Sequence, residues 1–214
     1  YSATDREKLK KVVTRPIQNE GALLRGPTAG VLAVLLAIGM WLAAMASYIV
    51  IRAIPSRVVT SSRPTWQIAL APLIPGAALI SVQAVALTVL SAALLGLSAG
   101  LVAGLLAALL LIGLCFVAVN HAAVAAFSGW GRMTFLGLAI LAAAAGLTSG
   151  VPGIVSWLAS FSPVMPAIQI IRSIGSGASL TTPIGTLIFW LILGLVVGFV
   201  VIAKNRQLKP SQLT

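Results

Sequence analysis

Charge is scarce in this sequence. Only 8% of its 214 residues are Asp, Glu, Lys or Arg, against about a quarter in a soluble globular domain. A water-soluble fold is therefore excluded for most of the chain. Acidic residues are the scarcest: Asp5, Glu7 and Glu20 are the only three, and none follows position 20. Proton- or sodium-coupled carriers usually hold their ion on an intramembrane carboxylate, so autonomous ion-coupled transport is disfavoured. His121, the single histidine, is the one group left to shuttle a proton. The lone Cys115 lies in mid-span, which rules out an intrachain disulfide and a cysteine-based metal site. It reads as a small buried apolar residue. No Gly-rich phosphate loop is present, so the chain does not hydrolyse ATP itself. A serine hydrolase needs a carboxylate or lysine beside its Ser and His, and the spans offer none. Neither an enzyme nor a cofactor is expected.

What the sequence does have is apolar length. Hydrophobic residues make up 59% of the chain and mean hydropathy is +1.09, which together mark an integral membrane protein. The most informative run is Leu101 to Arg132. It is longer than the roughly 20 residues a helix needs to cross a hydrocarbon core of about 30 Å. It carries Asn120 and His121 near its far end and stops at Ser128-Gly129-Trp130-Gly131-Arg132. The net charge of +11 is no nucleic-acid footprint, because the cations cluster in the N-terminal lead and in short loops and tails.

Residues 1–26 alone read as water-soluble. Thr4 and Glu7 fit a capping box, Leu9, Val12 and Val13 form a short apolar stripe, and Pro16 ends the helix. Arg6, Lys8, Lys10, Lys11, Arg15 and Arg25 offer either a lipid-headgroup face or a solvated surface. The chain starts at Tyr1 without methionine, so a fragment or processed product is expected, delivered to its side of the membrane by something upstream.

Five spans are predicted. The first runs from about Gly30 to Ile51, and the second from about Gln67 to Leu95 with a kink at Pro72 and Pro75. The third fills Leu101 onward, and the fourth is short, from about Met133 to Leu147. The fifth runs from about Pro183 to Ala203. Residues 151–182, interrupted by Pro152, Pro163 and Pro166, predict one or two short interfacial helices or a re-entrant hairpin. Gly96, Gly100 and Gly104 predict one close-packing face, and Gly194 with Gly198 a second. Five spans put the two ends on opposite sides. Arg52, Arg57, Arg63, Arg132, Lys204, Arg206 and Lys209 fall on one side; the loops on the other carry only Arg172, and the basic N-terminal lead lies there too, as long translocated domains largely escape the charge rule. The positive-inside pattern makes the first side cytoplasmic and the N-terminal end external, in a multi-pass plasma-membrane protein.

Asn120 and His121 carry two readings: hydrogen bonds to another helix, with Gln83 or Ser81 as acceptors, or a polar patch on a substrate path. Trp130, Trp157 and Trp190 read as interfacial anchors.

Several landmarks together resemble the C-terminal membrane part of the YhgE/Pip family, within the ABC-2 permease superfamily. They are Val12-Val13-Thr14-Arg15-Pro16 before the first span, Arg63-Pro64-Thr65-Trp66 opening the second, and Asn120 late in the third. The run Ser128–Arg132 and Pro163-Val164-Met165-Pro166 complete the set. The polar run that closes the fourth span in that family is reduced here to Thr148-Ser149-Gly150. The resemblance implies that residues 1–26 end an upstream extracellular domain, that 27–203 form an ABC-2-like transmembrane domain, and that 204–214 are a cytoplasmic tail. It further implies envelope export of lipid or glycolipid by a homodimer driven by a separate ATPase, with Arg57, Arg63 and Arg132 receiving the motion. The alternative it leaves open is a passive anchor for a cell-envelope or type VII-like secretion complex. Membrane lipid and another envelope membrane protein are then the partners.

Overall fold

In the computed structural model, residues 28–51, 64–148, 150 and 152–205 are described, and no strand occurs among them. The lead 1–26, Arg57, Arg63 and the tail beyond 205 lie outside the described residues. In chain order the helices are α1 (Thr28–Val50), α2 (Thr65–Leu70), α3 (Leu73–Leu95), α4 (Ala99–Leu147), α5 (Gly153–Ser160), α6 (Val164–Ser176) and α7 (Thr181–Asn205).

Helix α4 holds 49 residues, about 74 Å if straight, more than twice the hydrocarbon thickness. It is a hairpin. The ring of Trp41 on α1 lies 4.9 Å from Phe116 and 6.2 Å from Phe135. Those two residues would be about 28 Å apart along a straight helix. The reversal falls where the sequence places its glycines. A Cβ on Gly131 would land on the carbonyl oxygen of Ala123, so only glycine allows the chain to fold back this tightly. The two arms are Ala99–Phe127 and Gly129–Leu147, each long and apolar enough to cross a bilayer.

With α1, the α2–α3 pair and α7, the arms make five spans, as the hydropathy predicts. The fold is an all-α membrane bundle with a short broken helical segment before the last span. The first arm of α4 is its axis: 56% of that span is buried, against 22–39% for the others. Trp41, Met40, Ile80, Leu105, Leu109, Ile112 and Phe116 fill the centre.

The second span breaks at Ala71-Pro72, between α2 and α3. Pro75 does not add a second kink, because it lies in the first turn of α3, where its missing N–H has no intrahelical partner to lose. Gly96 ends α3 in a left-handed cap at φ 59°.

The expected broken segment before the last span is α5 and α6, which meet at 89°. At 13 residues α6 reaches only about 20 Å and cannot cross. It is not a loose surface helix either. Ile168, Ile170 and Ile171 join the main core, Ile168 meets Gly146 and Val34 lies on that same glycine, and Ile174 approaches Gly104. Helix α6 thus closes the end of the bundle where α1 begins. There Arg172 donates to the Gly146 carbonyl, at the C-terminal end of the second arm.

The two glycine sets behave differently. Gly96 and Gly100 face open space, and Gly104 only touches Ile174 at 3.8 Å. The predicted packing face there is not used within the chain. Gly194 and Gly198 are used, against the first arm of α4. A Cβ at Gly194 would stand 2.8 Å from the backbone carbon of Ala118, and one at Gly198 3.0 Å from His121 Cδ2. The Cys115 thiol donates to the Leu187 carbonyl at 3.4 Å in the same seam. The pairs 115–187, 118–194 and 121–198 increase together, so the two helices run parallel.

Candidate functional site

The polar groups that the sequence singles out are divided between two depths of the bundle. Gln83 lies in mid-membrane, where its Nε2 donates to the Gly39 carbonyl of α1 at 3.1 Å. An open crevice of about 380 Å³ beside it is lined by Ala43, Ser47, Leu79 and Gln83. Ser81 donates to Ala77 within its own helix at 2.7 Å. Asn120 is 1% exposed and donates back to Phe116 at 2.9 Å. Neither Gln83 nor Ser81 therefore serves Asn120 or His121, contrary to the cross-helix pairing expected. The reason is register. Tyr48, beside His121, lies nine residues beyond Gly39 on α1, about 13 Å further along the axis.

His121 instead belongs to a cluster at the end of α1. Its ring centroid lies 5.5 Å from that of Tyr48. The Tyr48 hydroxyl points at Gly76 of α3, where a Cβ would come within 3.2 Å of it. Arg132, just past the hairpin reversal, folds inward and its Nη2 donates to the Tyr48 carbonyl. This caps a terminal carbonyl of α1, as cations near helix C-termini do. The expectation that Arg132 is displayed to a partner meets a half-buried side chain already committed to α1. Tyr48 was visible in the sequence only as a tyrosine in the last turn of a span, without a sign of its role.

Beside this cluster lies a cavity of about 290 Å³, lined by Trp66, Ala69, Leu70 and Leu73 of α2 and α3, by Leu195, Val196, Gly198 and Phe199 of α7, and by His121. Ile68 and Ala69 packing on Ile202 close its far side. The lining side chains are apolar apart from the imidazole and the indole N–H of Trp66. His121 is 1% exposed, and neither ring nitrogen has a hydrogen-bond partner among the described residues. A smaller apolar space of about 110 Å³ lies between the hairpin arms and α7, beside Phe127, Phe135 and Trp190. Among the described residues no three His, Cys, Asp or Glu side chains approach one another as a metal site requires.

No protein-family model, curated protein or solved structure matches the chain. The cavity and its imidazole, and not kinship, are the basis for a functional reading.

Proposed function

We propose that this chain is the membrane domain of an ABC-2-like cell-envelope exporter, energised by a separate ATPase and handling a lipid or glycolipid. One observation carries the reading: the cavity of about 290 Å³ beside His121 opens between spans, on the flank of the bundle. Trp41, Phe116, Ile80 and Leu105 are buried at the centre, and among the described residues no polar route for a hydrated solute runs through it. A lipid moving along the flank needs no such route. The cations of the short loops and the tail support a cytoplasmic orientation for the Arg132 face, the side on which an ATPase acts. The absence of an intramembrane carboxylate and of a phosphate loop fits an energy source on another polypeptide.

Purification with native partners should co-isolate a nucleotide-binding subunit in stable stoichiometry. Repeated isolation without one, under conditions that keep other membrane complexes whole, refutes the exporter reading. That outcome favours the second reading, a passive anchor in an envelope or secretion complex. The specific support for it is the tight seam of Gly194 and Gly198 on α4, which suits a rigid bundle.

A further inference from the structure

We propose that a second copy of this chain docks at the open crevice between α1 and α3, the two Gln83 carboxamides bonding to each other across a twofold axis. The pairing rests on the crevice and its amide alone, and needs neither an ATPase nor transport.

Depth comes first. Gln83 lies ten residues past the start of α3 and twelve before its end, about 15 Å and 18 Å of helix rise. Gly39, whose carbonyl accepts from it, is likewise near the middle of its span, Ala29–Val50. The amide therefore sits close to the midplane of a hydrocarbon core about 30 Å thick. No water is available to it there, and the ester and headgroup oxygens of a lipid lie about 15 Å away.

Bonding capacity comes second. A carboxamide carries two N–H donors and a carbonyl with two lone pairs. The bond to Gly39 uses one N–H; among the described residues nothing pairs with the other N–H or with Oε1. Nor is Oε1 enclosed. The unpaired polar atoms sealed inside the bundle belong to Trp41, Tyr48, His121, Arg132 and Arg172, whereas half-buried Gln83 lines the crevice. Ser47, the other polar side chain on these walls, donates to Ala43 within its own helix at 2.9 Å. A hydrocarbon chain fills such a space but leaves both groups of the amide unmet. A second carboxamide meets both, since a twofold axis lets each donate to the other's carbonyl in a self-complementary contact.

Shape comes third. The crevice measures about 380 Å³. Its α1 wall is low: Ala43 and Ala46 are short, and a Cβ on Gly39 would meet nothing within 4 Å. A neighbouring helix can therefore come close. On α3, Leu79, Gln83, Ala86 and Leu90 recur at intervals of four, three and four, the average of 3.5 that keeps two helices in contact along their length. Leu79 and Leu90 are 57% and 54% exposed, and Ala86 faces outward with them. One amide in such a row fixes the register of the pair.

The test reconstitutes the purified full chain into liposomes at falling protein density and counts copies by single-molecule photobleaching. Wild type should pass from dimer to monomer as density falls. Gln83→Leu should weaken dimerisation roughly five- to thirtyfold, as two interhelical hydrogen bonds in a membrane allow. Ala46→Phe keeps the amide and its bond to Gly39 but fills the crevice from an exposed position, and should weaken it too. Under copper-phenanthroline, Leu79→Cys should crosslink into dimers. Ile192→Cys, 56% exposed at similar depth on α7, should not, and the native Cys115 is buried. A wild type that is monomeric at every density leaves the crevice to lipid and overturns the pairing. So do dimers that ignore either Gln83→Leu or Ala46→Phe, crosslinking through Ile192→Cys instead, or capture of a different protein by Leu79→Cys in native membranes. An ATPase bound to a strictly monomeric chain removes the pairing and keeps the exporter reading; a dimer that never holds an ATPase does the reverse.

Discussion

Replacing Gly194 by alanine adds a single methyl group, and the structure says where it goes. The new Cβ would lie 2.8 Å from the Ala118 carbonyl carbon and 2.9 Å from its oxygen, whereas ordinary contact begins near 3.4 Å. The obstacle is backbone, which cannot rotate away, so α7 must retreat from α4 by about 0.6 Å. A gap of that size forfeits roughly a quarter to a half of each dispersion contact across the seam. In a bilayer that loss is not offset by hydrophobic burial, because lipid is as apolar as the side chains. The expected destabilisation is about 1–3 kcal/mol, the usual range for overpacking. Gly100→Ala is the matched control, since a Cβ there meets nothing within 4 Å. That change should be neutral or stabilising by up to about 1 kcal/mol through helix propensity. Equilibrium unfolding in mixed detergent and SDS micelles measures both. If Gly194→Ala unfolds at the wild-type denaturant fraction, or if Gly100→Ala is equally damaged, the assignment of the close seam to α7 is wrong.

Other consequences are open to direct measurement. Arg132→Ala removes the hydrogen bond to the Tyr48 carbonyl and should cost about 1.5–3 kcal/mol, typical for a charged donor. Arg172→Ala, at the opposite end on Gly146, should cost a similar amount, and the double variant should be additive because the sites share no partner; strong coupling would contradict their separation. Trp41→Ala empties the space between Phe116 and Phe135 and should lower stability by about 3–5 kcal/mol, with a fall in the thermal midpoint as the check. Cysteines at Ser98 and Ala178, both exposed at turns, should react with an impermeant maleimide from one side of the membrane, and a cysteine at Trp130 from the other. Labelling of all three from one side would rule out the five-span arrangement.

Hydropathy alone predicted the five spans, because run length and the near-absence of charge leave few other solutions. The reversal in α4 was equally legible, from Gly129 and Gly131 beside an interfacial tryptophan. The glycine faces were not. Gly96, Gly100 and Gly104 have the same four-residue spacing as Gly194 and Gly198, and only the tertiary register decides which set meets a neighbour. Pro72 and Pro75 looked alike for the same reason: their effect depends on where the helix begins, which the two intervening residues do not reveal. The site was half legible. A lone histidine in a span stood out, but its neighbours Tyr48 and Gly198 come from two other helices, and pairing it with Gln83 required a depth that single-chain spacing does not supply.

The two inward arginines also restrict how the bundle can deform. Arg132 ties the start of the second arm to the tail of α1, and Arg172, lying against Gly30, ties the far end of that arm to α6 beside the head of α1. Sliding the second arm along its axis therefore breaks its Arg132 bond to α1 or the Arg172 bond it accepts from α6.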